Sequence, residues 1–133
     1  MPTVTIDDKP IEASPGETIL QVARRAGIWI PTLCHHEAVE PYGACRLCMV
    51  EIDRGGWWKT VTACNFPIRG DLTVRVNSER AIRARRGVME LLLARCPDSP
   101  ELKSVRSPAT TASPSRWATR AAFVRSASMT LSP

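Results

Sequence analysis

Four of the five cysteines lie between residues 34 and 64 and follow the pattern C-x10-C-x2-C-x15-C. They are Cys34, Cys45, Cys48 and Cys64. The two residues inside the C-x2-C pair let both sulfurs point the same way from one tight turn. Gly43 and Ala44 before it leave the backbone bare enough for N–H groups to approach sulfur. Four thiolates converging on one point predict either an iron–sulfur cluster or a tetrahedral zinc ion. The spacing favours the cluster, because four-cysteine zinc sites usually combine two C-x2-C pairs and this chain has one.

Two histidines and a fifth cysteine accompany this motif. His35 and His36 adjoin Cys34, but four cysteines already complete a ligand set. We therefore interpret the histidines as surface groups or as hydrogen-bonding groups around the site. Cys96 has no ligand partners near it in the sequence, and we expect a buried or partly buried thiol at a helix end.

The composition is typical of one small packed domain with an appendage, since 44% of the 133 residues are hydrophobic. No apolar run approaches the ~20 residues of a membrane span, so we expect no direct membrane insertion. No secretory signal is visible, and five cysteines without one indicate metal or redox use in a reducing compartment. We predict a cytoplasmic protein, free or held at the inner face of the membrane through a complex.

The net charge of +5 comes from the end of the chain. Residues 1–103 hold 14 Lys and Arg and all 13 Asp and Glu, so this part is nearly neutral. The last 30 residues carry four arginines and no acid. Because these cations are sparse and carry few aromatic residues among them, the sequence does not favour a nucleic-acid-binding protein.

Hydrophobic patterning of the first 27 residues predicts two strands and a helix. Residues 3–7 alternate as a half-buried strand, residues 8–10 form a turn, and residues 11–13 return as a second strand. Ser14 is the predicted N-cap of a helix that ends before Gly27. A strand pair followed by a helix across it is the opening of an α+β fold of the β-grasp, or ubiquitin-like, type.

Three further strands and a second helix follow the cysteine motif. The strands are predicted at residues 49–53, 57–62 and 72–76, and the helix at residues 79–95 after an N-cap at Ser78. The apolar face of this helix is predicted to comprise Ile82, Val88, Leu91 and Leu92. Its arginines are predicted to be a solvated face or, alternatively, a docking surface for an acidic partner; they are Arg80, Arg83, Arg85 and Arg86.

The composition divides the chain near Lys103. We predict a domain over residues 1–102, with a β-grasp core over about 1–77 and the following helix over about 78–95. Residues 103–133 are rich in serine and alanine and poor in large apolar groups, which predicts a low-complexity, disordered tail.

With these motifs in place, the chain resembles the N-terminal 2Fe–2S ferredoxin-like domain of the large iron–sulfur subunit of respiratory NADH dehydrogenase (complex I). Similar domains open NAD-linked hydrogenases and some formate dehydrogenases. The matching segments are Ile30–His36, Gly43–Glu51, Thr62–Cys64 and Arg86–Leu93. The cysteine spacing differs from the C-x4-C-x2-C of plant ferredoxins, so the chain is a relative of them and not one of them.

The resemblance implies one 2Fe–2S cluster, with Cys34 and Cys45 on one iron and Cys48 and Cys64 on the other. It implies one-electron transfer as a subunit or detached domain of an NADH-, hydrogen- or formate-linked oxidoreductase. The expected partners are oxidoreductase subunits that carry flavin or iron–sulfur groups. The sequence shows no nucleophile, acid–base pair or phosphate-binding glycine loop, so we expect no substrate site on this chain.

The chain also departs from its relatives. Their second, 4Fe–4S cluster uses a histidine and three cysteines after the second helix, whereas here Cys96 is the last cysteine, so we expect no second cluster. Two other functions stay open. One is a freestanding soluble ferredoxin, and the other is a zinc-stabilised interaction module without a redox role.

Overall fold

The computed structural model describes residues 1–100 and 102, which fold into one mixed sheet and two helices. The elements are β1 (Thr3–Ile6), β2 (Lys9–Glu12), α1 (Ile19–Arg25), β3 (Met49–Asp53), β4 (Trp58–Thr62), β5 (Leu72–Arg75) and α2 (Glu79–Arg95). The strand order is β2-β1-β5-β3-β4. Strands β1 and β5 pair in parallel and the other neighbours pair antiparallel. This agrees with the predicted α+β class; the predicted tail over residues 103–133 lies outside the described residues.

The first hairpin turns one residue earlier than predicted. Asp7 and Asp8 both have positive φ, 43° and 67°, which is the backbone of a two-residue turn that suits the twist of a hairpin. Aspartate tolerates this conformation better than most residues. The Asp7 Oδ1 atom also accepts a hydrogen bond from the Val76 N–H at 2.9 Å, so the turn is attached to the chain that follows β5.

The N-cap of α1 lies four residues later than predicted, and the prediction of Ser14 as the N-cap is wrong. The Ser14 N–H does donate to Glu17 Oε2 at 2.6 Å, but Gly16 has a left-handed φ of +89°, which a helix cannot contain. The true N-cap is Thr18, whose Oγ1 accepts from the Gln21 N–H at 3.3 Å. The Gln21 side chain accepts in turn from the Thr18 N–H at 2.8 Å, completing a capping box.

The main core lies between α1 and one face of the sheet. Helix α1 buries Ile19, Leu20, Val22 and Ala23 against apolar residues of four strands; these are Val4, Ile6, Val50, Ile52, Val61 and Val74. After α1, Gly27 has the left-handed φ of +69° expected of a helix stop. The core therefore contains both elements that flank the long irregular segment between α1 and β3.

Strand β3 is covered on both faces. Val50 and Ile52 belong to the core under α1, whereas Met49 and Glu51 alternate to the opposite face and are buried as well. Glu51 is only 4% exposed, and its Oε1 atom lies 3.4 Å from Arg80 Nε of α2. Helix α2 thus covers the face of β3 that α1 leaves free.

The predicted apolar face of α2 is correct in part, because Val88 and Leu92 pack against a buried cluster, but Leu91 faces solvent. The buried residues repeat every four positions and are Ala81, Arg85, Met89 and Leu93. Leu91 is 75% exposed, while Ile82, Val88 and Leu92 are half-buried. Met89 and Leu93 form a second apolar cluster with Leu47 and Leu102. The helix is therefore rotated so that it packs on the residue that immediately precedes Cys48.

The sequence suggested that the arginines of α2 face solvent, but not all of them do. Arg83 is exposed and pairs with Glu79 one turn away, but Arg85 is 0% exposed. Its Nε atom donates to the Ala81 carbonyl at 3.3 Å, and its Nη2 atom donates to the Val76 carbonyl. The prediction of a solvated Arg85 is wrong, because the position falls in the row of α2 that meets the sheet.

Candidate metal centre

Three of the four predicted ligands are positioned by the β3–β4 hairpin. Cys45 and Cys48 lie in the loop that leads into β3, and Cys64 lies two residues after β4 ends. In the antiparallel pair, Met49 faces Thr62, and the Ala63 N–H donates to the Cys48 carbonyl at 3.0 Å. The register of the hairpin therefore brings Cys48 and Cys64 side by side.

The segment around Cys64 is also attached to the start of α1. The first N–H groups of a helix have no partner within the helix. Here the Ile19 N–H donates to the Phe66 carbonyl at 3.2 Å, and the Leu20 N–H donates to the Ala63 carbonyl at 3.0 Å. These bonds hold the Cys64 backbone against the helix that precedes the Cys34 segment.

The Cys34 and Cys45 thiols are in contact with each other. Burial alone would raise the pKa of the Cys45 thiol, but hydrogen bonds from the Leu47 and Cys34 N–H groups, the Cys34 thiol and the Leu33 N–H together hold that pKa below its ordinary value. The Leu47 N–H lies 3.5 Å from Cys45 Sγ. Backbone N–H groups directed at a sulfur favour its thiolate, which is the form that binds metal.

The Cys64 thiol has the opposite tendency. Burial, a hydrogen bond with the Cys48 thiol, and the nearby Cys48, Cys34 and Cys45 raise the pKa of Cys64 to about 12. The other three predicted ligands thus all act on the Cys64 thiol, and hydrogen bonds join Cys34 with Cys45 and Cys48 with Cys64. Because a metal must displace the Cys64 proton, metal binding releases a proton from this site.

The arrangement fits a binuclear cluster in its donor chemistry. Each iron of a 2Fe–2S centre takes two protein ligands, and two pairs of thiols supply them. Within residues 1–100 and 102, no three or more His, Cys, Asp or Glu side chains are grouped closely enough to ligate a single metal ion.

The two pairs differ in their access to solvent. Cys48 is 2% exposed and Cys64 is 1% exposed, whereas Cys34 and Cys45 are half-buried. Exposed side chains flank Cys34 and Cys45; one of them is Tyr42, which is 71% exposed. One edge of the site therefore lies near the surface while the other is enclosed by the core.

The loop between Cys34 and Cys45 depends on a glycine at position 43. Gly43 has a φ of +70°, and a Cβ atom there would lie 2.9 Å from Asn65 Nδ2 and 3.1 Å from Thr62 Oγ1. The Thr62 hydroxyl is itself hydrogen-bonded to Asn65 Oδ1. The bare backbone of Gly43 is evident from the sequence, but the contact with Asn65 is not, since its position one residue after Cys64 is its one sequence signal.

We expect Gly43→Ala to destabilise the protein and to weaken cluster retention. The left-handed backbone alone costs an alanine roughly 1–2 kcal/mol, and the collision with Asn65 adds to it. The matched control is Gly55→Ala, because Gly55 also has a positive φ, +78°, but nothing lies within 4 Å of its Cβ position. Urea unfolding of both variants measures the difference; equal losses would show that the Asn65 contact has no weight.

Arg46 occupies the second position of the C-x2-C turn and adopts a left-handed φ of +59°. Its side chain is exposed, so it extends from the half-buried edge of the site. A positive φ is uncommon for a residue other than glycine and has a conformational cost. The turn that separates Cys45 from Cys48 therefore has a strained residue at its centre.

The two histidines differ in their surroundings. His36 is exposed, and its Nδ1 atom accepts a hydrogen bond from the Ala38 N–H at 3.1 Å. His35 is half-buried, and its Nδ1 atom is buried without a hydrogen-bond partner in the described part of the chain. Burial and then the nearby Arg24 lower the pKa of His35. Of the two, His36 is the surface group that the sequence suggested.

Cys96 lies at the end of α2 as predicted but is exposed, so the expectation of a buried or partly buried thiol is wrong. The helix ends there with the Cys96 N–H bonded to the Leu92 carbonyl, and Cys96 is not part of the apolar cluster of Met89 and Leu93. Neither helix in the described residues has the length and apolar character required to cross a membrane.

Comparison with known proteins agrees with the chemistry of the site. The model of the 2Fe-2S iron-sulfur cluster binding domain matches residues 1–79. The chain is 44% identical over 97 residues to the NADPH-Fe(3+) oxidoreductase subunit alpha of Geobacter sulfurreducens. It is 38% identical over 94 residues to the mitochondrial NADH-ubiquinone oxidoreductase 78 kDa subunit of Neurospora crassa. A crystal structure of an NAD+-reducing [NiFe]-hydrogenase superposes with a TM-score of 0.63 at 37% identity.

These matches confirm the resemblance to NADH dehydrogenase and NAD-linked hydrogenase subunits, but they cover only part of each relative. The alignments take in 73% and 71% of this chain and only 11% and 12% of the two curated relatives. The hydrogenase superposition covers 73% of this chain and 42% of the hydrogenase chain. The likeness is therefore to one domain of larger proteins.

Proposed function

This chain belongs to the family of 2Fe–2S iron–sulfur cluster binding domains, and we propose from that membership that it is a one-electron carrier within a larger oxidoreductase. A 2Fe–2S cluster supplies reversible uptake of a single electron. The proposal rests on the arrangement of the four thiols in two pairs. Cys48 and Cys64 are enclosed, whereas Cys34 and Cys45 lie near the surface.

We assign Cys34 and Cys45 to one iron and Cys48 and Cys64 to the other. Direct contact within each pair supports this division. The enclosed pair directly flanks the paired strands β3 and β4, while Cys34 lies on irregular backbone far from either strand. Thiolate ligands that barely move favour electron transfer, because they keep the reorganisation energy of each transfer step small.

The half-buried edge is the proposed route for electrons. Cys34 and Cys45 lie nearest to solvent, so a partner that covers Tyr42 and Arg46 comes closer to this edge than to any part of the buried pair. We propose partners that carry flavin or iron–sulfur groups, with NADH, hydrogen or formate as the ultimate electron source. The names of the relatives, which are oxidoreductase subunits, support that class of partner.

We further propose that the fold is of the β-grasp type and that the domain spans residues 1–102. The hairpin β1–β2, the helix α1 across the sheet and the parallel pairing of β1 with β5 support this assignment. No second 4Fe–4S cluster is proposed, since Cys96 is the last cysteine of the sequence and projects into solvent. A cytoplasmic location and a disordered tail over residues 103–133 remain expectations from the sequence.

Anaerobic purification followed by iron, sulfide and zinc analysis tests the proposal, with EPR spectroscopy of the dithionite-reduced protein. We expect iron and sulfide in the amounts of one 2Fe–2S cluster per chain, and a half-integer-spin signal on reduction. Stoichiometric zinc without sulfide would instead indicate a structural module without a redox role. Genomic neighbours that encode flavin- or hydrogenase-type subunits would distinguish a subunit from a freestanding ferredoxin.

A further inference from the structure

We propose that Arg85 is a buried cation that stabilises the reduced state of the site and so raises its reduction potential. The inference rests on the proposed function, because it concerns the charge that the cluster gains on reduction. It begins from a feature that a small domain rarely contains, an arginine with 0% exposure. Charged side chains are almost never fully buried unless something offsets the loss of water.

The hydrogen bonds of Arg85 do not cancel its charge. Its acceptors are the carbonyls of Ala81 and Val76, both neutral groups. Its Nη1 atom is buried and has no hydrogen-bond partner among the described residues. The guanidinium stays protonated, since arginine is effectively never deprotonated in proteins. A positive charge with a free N–H donor is therefore held inside the fold.

The helix places this charge behind the enclosed half of the site. Arg85 and Met89 are one turn apart on the buried row of α2, and Met89 packs on Leu47. Leu47 is followed directly by Cys48, which is 2% exposed. Asp7, whose carboxylate accepts a hydrogen bond from the Val76 N–H beside the same carbonyl, is the stronger electrostatic partner of Arg85, and Cys48 acts on Arg85 as well. The cation and the enclosed thiol pair thus share one low-dielectric region.

The physical consequence follows from the sign of the charges. A cluster of four thiolates and two sulfides carries about −2 when oxidised and about −3 when reduced. A fixed cation stabilises the more negative state more strongly, and burial removes the screening that weakens exposed charges. Arg85 therefore biases the site toward the reduced state. Arg83, which is 74% exposed and paired with Glu79, supplies a matched charge without that effect.

Redox titration of the purified full chain, monitored by EPR, tests this role. We expect Arg85→Met to lower the equilibrium constant for reduction about tenfold, which is about 59 mV for a one-electron couple. Arg83→Met should change it by less than about twofold, because solvent and salt screen the exposed charge. Raising the ionic strength should leave the difference between wild type and Arg85→Met nearly unchanged.

Two further variants keep the inference falsifiable if Arg85→Met loads its cluster poorly. Arg85→Lys retains the positive charge, and Arg85→Gln removes it while keeping a donor for the Val76 carbonyl. We expect the lysine variant to lie near the wild-type potential and the glutamine variant about tenfold below it. Equal potentials in the loaded lysine and glutamine variants would overturn the inference and leave Arg85 as a structural brace. Absence of any cluster from the wild-type chain would instead contradict the proposed function.

Discussion

Cys64→Ser should abolish stable cluster binding in this protein. A serine hydroxyl does not ionise near neutral pH and is a poor ligand for iron, so one iron would lose half of its protein ligands. Loss of a mere supporting hydrogen bond around a metal ligand typically costs ~10–100-fold in affinity, and loss of the ligand itself should cost more. We therefore expect iron, sulfide and the EPR signal of the reduced protein to fall to background after anaerobic purification.

The matched control for this experiment is Cys96→Ser. Cys96 has the same chemistry as Cys64 but is exposed at the end of α2, while Cys64 is 1% exposed and contacts Cys48. The control should keep full iron and sulfide content and an unchanged spectrum. A Cys64→Ser protein with wild-type iron and sulfide would contradict the ligand assignment, and a Cys96→Ser protein without cluster would implicate the fifth cysteine.

The second large effect is expected at Met89, where α2 packs on the cysteine loop. Met89 is 2% exposed and contacts Leu47, so Met89→Ala leaves a cavity beneath the residue that precedes Cys48. Substitutions of this kind in a core cost about 2–5 kcal/mol of the free energy of unfolding. Urea unfolding followed by circular dichroism should show the loss as a lower midpoint with an unchanged slope.

Leu91→Ala tests the same helix on its other side. The Leu91 side chain is 75% exposed, so its truncation should change the free energy of unfolding by no more than about 0.5 kcal/mol. The pair of variants distinguishes the observed rotation of α2 from the one that the sequence predicted. A large loss at Leu91 and a small loss at Met89 would show that the predicted face is the buried one in solution.

Local patterning predicted the strands well because their faces are chemically distinct. Strand β3 begins and ends at the predicted residues, and β5 lies within its predicted range. The start of α1 was mispredicted because two capping patterns follow each other, at Ser14 and at Thr18. Only the left-handed φ of Gly16 excludes the first, and a sequence shows that a glycine is present without showing which conformation it adopts.

The face of α2 could not be read from the sequence, since its apolar residues occur on more than one side. The buried row includes an arginine at position 85, and hydrophobic periodicity assigns such a position to solvent. Its burial is decided by tertiary contacts with the Val76 carbonyl and the sheet. The four candidate cysteines were evident from type and spacing, whereas the contacts of Asn65 with Thr62 and of Arg85 with Val76 depend on how the chain folds.

The parallel pairing of β1 with β5 determines the order in which the fold can be completed. The Thr3 N–H donates to Asp71 Oδ1 at 2.8 Å across 68 positions of the chain, and β5 lies between β1 and β3. The central strand of the sheet is therefore the last strand to be synthesised. Until it arrives, the nascent chain consists of two separate hairpins and α1, with all four thiols already translated and no continuous sheet to enclose them. The Cys48 and Cys64 thiols are therefore accessible during synthesis until β5 joins the two hairpins, whereas Cys34 and Cys45 stay half-buried in the completed fold.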